Sequence, residues 1–475
     1  MLRFLLLAYS IVLLAPLAPC SAQSATDSVT VGTISYSGNK KTRPSVIRRE
    51  LTFKEGQRIA IADLPLLVSR SEEQILNTSL FMSAEIKYLD WIAPDYEVFF
   101  EIRVVEQWYI FPTPTFELAD RNFNVWWTDQ NRDIDRVNIG LKFSHYNFTG
   151  FGDKLKVGFE YGYTRSYQAG YSLPYINKDQ SIGLGFSWST NRNREVNYQT
   201  INDDQAFYND EDDFVWRRTR VAAEASYRRK IFTTHTSVLA YEVGSINDTV
   251  AQLNPNFYGR GRNRQKFFRY TYILNYDRRD VRAYPWRGEQ LRFIVDKAGL
   301  GLLSDYGRNG LWTKLEYNRY WPLGPEQQWS LFAGASGKYS LIRKRQPFLD
   351  NRAIGFGREG SMVGYQFYVI DGLDMLILRA GLRRELFRTQ VVLGNWVPLK
   401  NFRTIPIRVN LSLQTDQGIA NSPFTRIDNR LANRWLSGAG LGLDVIFFYD
   451  MVASVQYHRN HLGEGGVFVG LNLSF

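Results

Sequence analysis

Few residues in this chain are equipped for chemistry, and their spacing does not favour it. His458 and His461 are close enough to begin a metal site, but they fall in a turn between two extended runs, where a solvated turn is the simpler reading. The chain has four His and one Cys, Cys20, which excludes a multi-Cys zinc or iron–sulfur centre and an internal disulfide framework. Gly337-Lys338 lacks the upstream glycines and the Ser/Thr of a phosphate-binding loop. Gly438, Gly440 and Gly442 alternate along a strand pattern, where small interior-facing residues explain them better than a nucleotide. No G-x-S-x-G elbow is present. These residues predict a protein that is not an enzyme and carries no metal and no cofactor. The net charge of +11 would suit nucleic acid. The export signal described next argues against that partner, so the basic residues are expected at anionic lipid headgroups or along a wet interior.

The chain opens with an address. Arg3 supplies a positive start, residues 4–17 are nearly all apolar, and residues 18–22 are mostly small. This pattern predicts a secretory signal peptide, residues 1–22, cleaved after Ala22. Leu17-Ala18-Pro19-Cys20 loosely resembles a lipoprotein processing site, so attachment at Cys20 stays open beside ordinary cleavage. No later stretch approaches the 18 apolar residues of a membrane helix. The exported chain is therefore either soluble or a closed barrel, the other architecture that satisfies its backbone in lipid.

The character of the sequence changes near residue 107. Residues 29–107 predict one small α+β domain in the order β-α-α-β-β, with one helical layer on one sheet face. A strand over 29–37 ends at the turn signal Gly38-Asn39. A helix follows over 44–51, with Thr42 or Arg43 before it. Asp63 is placed to cap a second helix, on which Leu64, Leu67, Val68 and Ile75 share a face. Residues 84–89 and 97–105 then read as paired strands.

Residues 108–475 carry period-2 alternation again and again. In 404–414, Ile405, Ile407, Val409, Leu411 and Leu413 alternate with Arg408, Asn410, Ser412 and Gln414. About sixteen such runs are visible, near 108–117, 136–148, 152–164, 167–176, 180–190, 213–229, 232–245 and 265–279, and then near 288–299, 309–322, 327–342, 374–388, 404–415, 434–448, 450–459 and 465–475. Most reach ten residues, enough to cross a bilayer at a tilt and longer than ordinary soluble strands. Short links alternate with long polar ones, such as 191–212, 246–264 and 343–373. The 28 Tyr and 12 Trp suit interfacial girdles. The expected fold is an all-β transmembrane barrel of about 16 antiparallel strands behind one N-terminal α+β domain.

Three sets of residues carry a resemblance. The first is the small domain, with the strand ending Gly38-Asn39, Leu80-Phe81 after the second helix, and Val104-Val105-Glu106 at its close. The second is Asp277, Arg279 and Asp280 followed by Pro285 and Gly288, between runs eight and nine. The third is Met362-Val363-Gly364-Tyr365 in the long loop before run twelve, with Asp416 and Gly418 on run thirteen. Together, in this order, they resemble the BamA-type outer-membrane assembly superfamily, as a member with a single POTRA-like domain. Phe475 resembles the C-terminal signal of barrels that are themselves inserted by this machinery.

The resemblance implies a bacterial outer-membrane barrel with its POTRA-like domain in the periplasm. It implies a role in inserting or translocating other proteins. It also implies that the long loop folds into the lumen, where the family's loop Arg meets the strand-thirteen Asp. Here Val363 stands at the Arg position, which leaves Asp416 in need of another cation; Arg358 on the same loop is the candidate. The implied partners are outer-membrane lipids, accessory subunits, and client proteins captured at the POTRA edge or at the seam between the first and last strands. Pro112 and Pro114 in the first run remove two backbone donors from that seam. A secretion pore for a dedicated partner, or a non-insertase subunit or pore, stands as the alternative.

Overall fold

The computed structural model describes residues 28–92, 97–118, 134, 137–302, 307–355, 360–394, 403–424, 429–447 and 451–472. The expected leader 1–22, Arg358 and Phe475 lie outside the described residues.

The N-terminal part runs β1 (Ser28–Ser37), α1 (Pro44–Arg49), β2 (Arg58–Ala60), α2 (Leu64–Asn77), β3 (Phe81–Ile92) and β4 (Glu97–Glu106). Its sheet has the order β2-β1-β4-β3, so β3 is an edge strand. Alternation builds the inner face: Val98, Phe100, Ile102 and Val104 of β4 are buried with Val29, Val31 and Ile34 of β1. Ile47 of α1 and Leu64 and Ile75 of α2 close the core from one side, with Leu67 and Val68 packed against it. Two expectations need correction. The three-residue β2, paired to β1, is too short to show as a periodic run. Asp63 does not cap α2: it ends a 3-10 turn with helical backbone angles, and its side chain makes no capping bond.

The rest is one sixteen-stranded sheet. It begins with β5 (Ile110–Leu118), β6 (Val137–Tyr146), β7 (Lys154–Gly162), β8 (Thr164–Leu173) and β9 (Ile182–Asn193). A separate hairpin follows, β10 (Glu195–Ile201) and β11 (Asp204–Asn209). The sheet resumes with β12 (Trp216–Tyr227), β13 (Thr233–Ile246), β14 (Arg264–Asp277), β15 (Gly288–Ala298), β16 (Gly310–Leu323) and β17 (Trp329–Ser340). Within the next link, β18 (Arg352–Ile354) pairs with β19 (Ile370–Asp371). The sheet closes its sequence with β20 (Asp374–Val392), β21 (Thr404–Asn421), β22 (Leu436–Phe447), β23 (Met451–Asn460) and β24 (Gly465–Asn472). Each strand is antiparallel to its neighbour, and each of the sixteen expected runs falls on one of these strands.

The sheet is inside out relative to a soluble protein. On β21, Asn410, Ser412 and Asp416 are buried while Leu411 and Leu413 are exposed. On β22, Asp444 is buried between Leu443, which is exposed, and Val445. Polar residues therefore line an interior and apolar ones face outward, as lipid requires. Contacts across that interior show the curl into a barrel: Tyr284, between β14 and β15, donates from its hydroxyl to Asp444 of β22 at 2.7 Å. Among the described residues no helix is long and apolar enough to cross a membrane.

Candidate functional site

The link between β17 and β20 enters the barrel and is fixed at two places on opposite walls. Its base is held by charge. Arg269 of β14 bridges Glu242 of β13 at 3.1 Å and Asp296 of β15 at 2.6 Å, and reaches Asp350 of the loop at 3.5 Å. Arg308 also pairs with Asp350. The Lys338 ammonium of β17 donates to the carbonyls of Asp350 and Arg352 at 3.1 and 3.2 Å. Cations surrounding buried loop acceptors in this way form the stronger, charge-assisted class of hydrogen bond.

The tip is seated on β20–β24. Met362 and Tyr365 are fully buried in an apolar cluster with Ile354, Ile370, Ile377 and Leu436. The backbone N–H of Val363 donates to Asp416 Oδ2 at 3.0 Å. Arg379 of β20, directly opposite Asp416 in the ladder, places Nε 3.5 Å from the same oxygen and donates to the Ser361 carbonyl. The cation expected from Arg358 is therefore supplied, among the described residues, by the barrel wall. The Gly364 carbonyl accepts from Asn460 at 3.0 Å, and Gly418 lies against the Met362 sulfur. Gly438 of β22 permits the closest approach: a Cβ there would stand 1.9 Å from the Val363 carbonyl oxygen. Tyr365 donates to the Ser437 carbonyl at 3.2 Å and also meets His461. His458 is not in the turn, as expected, but on β23. It is buried, contacts Gln366 and stacks on Phe468 of β24.

The turn between β14 and β15 closes the opposite, short-turn end. Arg279 forms a two-pronged pair with Asp277, both contacts at 2.8 Å. Asp280 Oδ1 accepts from the N–H groups of Val281 and Trp286 at 2.8 and 3.0 Å. The Pro285 carbonyl accepts from Arg383 of β20 at 2.9 Å, and Gly288 has a φ of 98°, which favours glycine. The turn also holds the N-terminal domain. Asn77, ending α2, donates to the carbonyls of Arg279 and Asp280 at 3.3 and 3.0 Å, and Arg282 donates back to the Asn77 carbonyl at 3.0 Å. Glu50, after α1, is gripped by Arg228 of the β12–β13 turn through two 2.6 Å bonds. Arg43 lies over the Phe151 ring of the β6–β7 turn at 4.0 Å, and its N–H donates to the Gly150 carbonyl at 3.0 Å. The small domain thus rests on three turns of one half of the barrel mouth.

The sequence did not reveal Arg379, Gly438, Asn77 or the Glu50–Arg228 pair. Arg379 and Asp416 become partners only once the register of β20 on β21 is known. One signal was present: an Asp on the polar face of a strand, eight residues from the nearest charge on that face, predicts an Arg at the matching height of a neighbouring strand.

Among the described residues, no edge-to-edge ladder joins β5 to β24. β5 and β24 stand at the two ends of the sheet order, with Pro112 and Pro114 in β5 and Gly465, Gly466 and Gly470 in β24. Also among the described residues, no group of three or more His, Cys, Asp or Glu is placed to hold a metal ion.

Residues 147–371 match the Omp85 superfamily domain. Similar solved structures include BamA from Haemophilus ducreyi lacking POTRA domains 1-3, at a TM-score of 0.50 and 14% identity over 94% of this chain and 85% of that one. CdiB from Escherichia coli is similar at a TM-score of 0.53 and 14% identity, over 93% of this chain and 75% of that one. CdiB from Acinetobacter baumannii gives a TM-score of 0.51 and 13% identity, over 93% and 73%. At these identities the likeness is one of fold. A comparison with curated protein sequences finds no match.

Proposed function

We propose that this chain helps insert or translocate client proteins at the bacterial outer membrane, as a binding scaffold and not as an enzyme; the match of residues 147–371 to the Omp85 superfamily domain supports this reading. The observation that carries this reading is that, among the described residues, no ladder joins β5 to β24. Unpaired strand edges present free N–H and C=O groups, which template an incoming strand. The two prolines of β5 lack backbone donors, and the glycines of β24 lower its pairing stability. The seam can therefore open at lower cost than any other junction of the sheet.

The N-terminal domain is read as POTRA-like and periplasmic, delivered there by export under the 1–22 leader. Its β3 edge offers a second place for an extended client to add as a strand. Outer-membrane lipid surrounds the apolar outer face, and accessory subunits are further partners.

A secretion pore for a dedicated partner is the second reading. It is favoured by the two-point attachment of the lumen loop, which would free the channel if both latches released. A cysteine in β5 and one in β24, oxidised to lock the seam, tests the first reading. Client assembly should stop on oxidation and return on reduction; assembly that continues with the seam locked would overturn it.

A further inference from the structure

The outer face of the barrel carries an ordered row of arginines. On β8, β9 and β12 the ladders set Ala169, Trp188 and Val221 side by side. One row nearer the end with the long links stand Tyr167, Thr190 and Thr219, and one row beyond them Arg165, Arg192 and Arg217. The same row continues through Ser245 of β13 to Arg264 of β14. These residues share the side of their strands that exposes Phe186, Trp188, Leu239 and Tyr270, so they face away from the lumen. Arg192, Arg217 and Arg264 are themselves exposed. Four arginines on five adjacent strands thus lie at one height, at the rim of the apolar belt. With neighbouring strands about 4.8 Å apart, the row is about 19 Å wide.

Like charges directly opposite on paired strands repel. Arg165 and Arg192 are such a pair, and so are Arg192 and Arg217. Among the described residues one carboxylate answers the row: Asp213, 2.9 Å from Arg217. Arg165, Arg192 and Arg264 form no ion pair with a described residue. Arg165 is held by rings instead, 4.4 Å from the centroid of Tyr161 and 4.9 Å from that of Phe214, where Arg194 joins it at 5.1 Å. An aromatic face attracts a guanidinium but does not neutralise it. The row therefore calls for an anion from outside the chain.

The guanidinium fork matches the oxygens of a phosphate. The arginines also stand directly above exposed aromatic and aliphatic side chains, so a ligand with an apolar part beneath its charge fits the wall, and a free anion or an acidic protein leaves that part bare. We propose that Arg165, Arg192, Arg217 and Arg264 bind the phosphorylated headgroup of an outer-leaflet lipid, whose acyl chains lie on Phe186, Trp188 and Leu239. The width of the row suits a headgroup with two phosphates better than one with a single phosphate. This site presupposes the outer-membrane location proposed above and needs no client, so its binding can be lost while client assembly stands, and the reverse.

The test uses the full folded chain in micelles of a neutral maltoside detergent, titrated with lipid A, a glycolipid with two phosphates, and read by native mass spectrometry. Saturable retention of lipid A is expected, while zwitterionic phosphatidylcholine is lost under the same conditions. Combining Arg165→Gln with Arg192→Gln should weaken retention about thirtyfold, the effect of two basic residues at an anionic lipid surface. Arg384→Gln removes an outward-facing arginine beside Trp329, at the short-turn end, and should leave retention unchanged. Heat-modifiable migration shows that each variant has folded; should the double variant fail to fold, Arg192→Gln decides alone, with a loss of about fivefold. Retention that is absent, equal for phosphatidylcholine, or equal in the native chain and the row variants would overturn the proposal. So would inorganic phosphate held as tightly as the lipid, which would mark a free-anion site.

Discussion

Arg379 and Asp416 face each other across the β20–β21 ladder, and Asp416 reaches beyond that pair to the backbone N–H of Val363, 3.0 Å away in the lumen loop. One buried carboxylate thus ties the wall to the loop, and the arginine that balances it stands on the strand and not on the loop. A valine at 363 is compatible with this arrangement because the loop contributes an amide, which every residue but proline carries.

Removing that carboxylate's charge should release the tip. Asp416→Asn is expected to weaken loop seating by about 2–3 kcal/mol, within the range for hydrogen bonds to buried charges and lower than for a fully buried pair, since Arg379 is partly exposed. Arg379→Leu should do the same, and the double variant should cost less than the sum of the two. Cleavage within 343–373 by added protease reports the seating; a strictly additive pair would show that the two residues act separately.

A steric route should reach the same state without touching a charge. Gly438→Ala puts a methyl group within 1.9 Å of the Val363 carbonyl oxygen, and the strand backbone itself accepts alanine. The barrel should fold, as judged by heat-modifiable migration, while the loop becomes protease-sensitive. A loop as resistant as the native one would show that its tip is not seated on β22.

The base latch gives an independent lever on the lumen. Lys338→Met removes the donor to the Asp350 and Arg352 carbonyls. Combined with Gly438→Ala it weakens both attachments, although Arg269 and Arg308 still hold Asp350, so single-channel conductance in planar bilayers should rise above that of either single variant. Conductance equal to that of the native chain would mean that something other than this loop closes the lumen.

Docking of the small domain rests on Glu50 and Arg228. Their two hydrogen bonds are buried on the Glu50 side and mostly buried on the Arg228 side. A double-mutant cycle with Glu50→Ala and Arg228→Ala should give a coupling of about 2–3 kcal/mol. Hydrogen exchange in the β12–β13 turn would report it. Asn77→Ala should loosen the domain at the β14–β15 turn, and exchange there should rise while the β4 core stays protected.

Length and alternation made the barrel legible. A run of ten residues with polar and apolar sides separated has few structures open to it, and sixteen of them in a row leave one. The second strand of the N-terminal sheet escaped because three residues carry no period. Asp63 looked like a cap by type and position, but the chain enters α2 through a 3-10 turn that keeps its side chain from the first amides. Arg379 escaped for a different reason. Its role is a cross-strand relation, and nothing in local spacing states which residues of β20 and β21 share a height. The contacts of Asn77 with residues 279–282 span about two hundred positions of chain and are likewise properties of the assembled fold.

The central claim is that this barrel serves other proteins, and conditional depletion followed by quantitative proteomics of the outer membrane tests it most directly. The account predicts that client proteins fall before growth slows: broadly across barrel proteins if the client range is wide, or in a few surface proteins if it is narrow. An outer membrane whose protein content does not change as this chain disappears would contradict it.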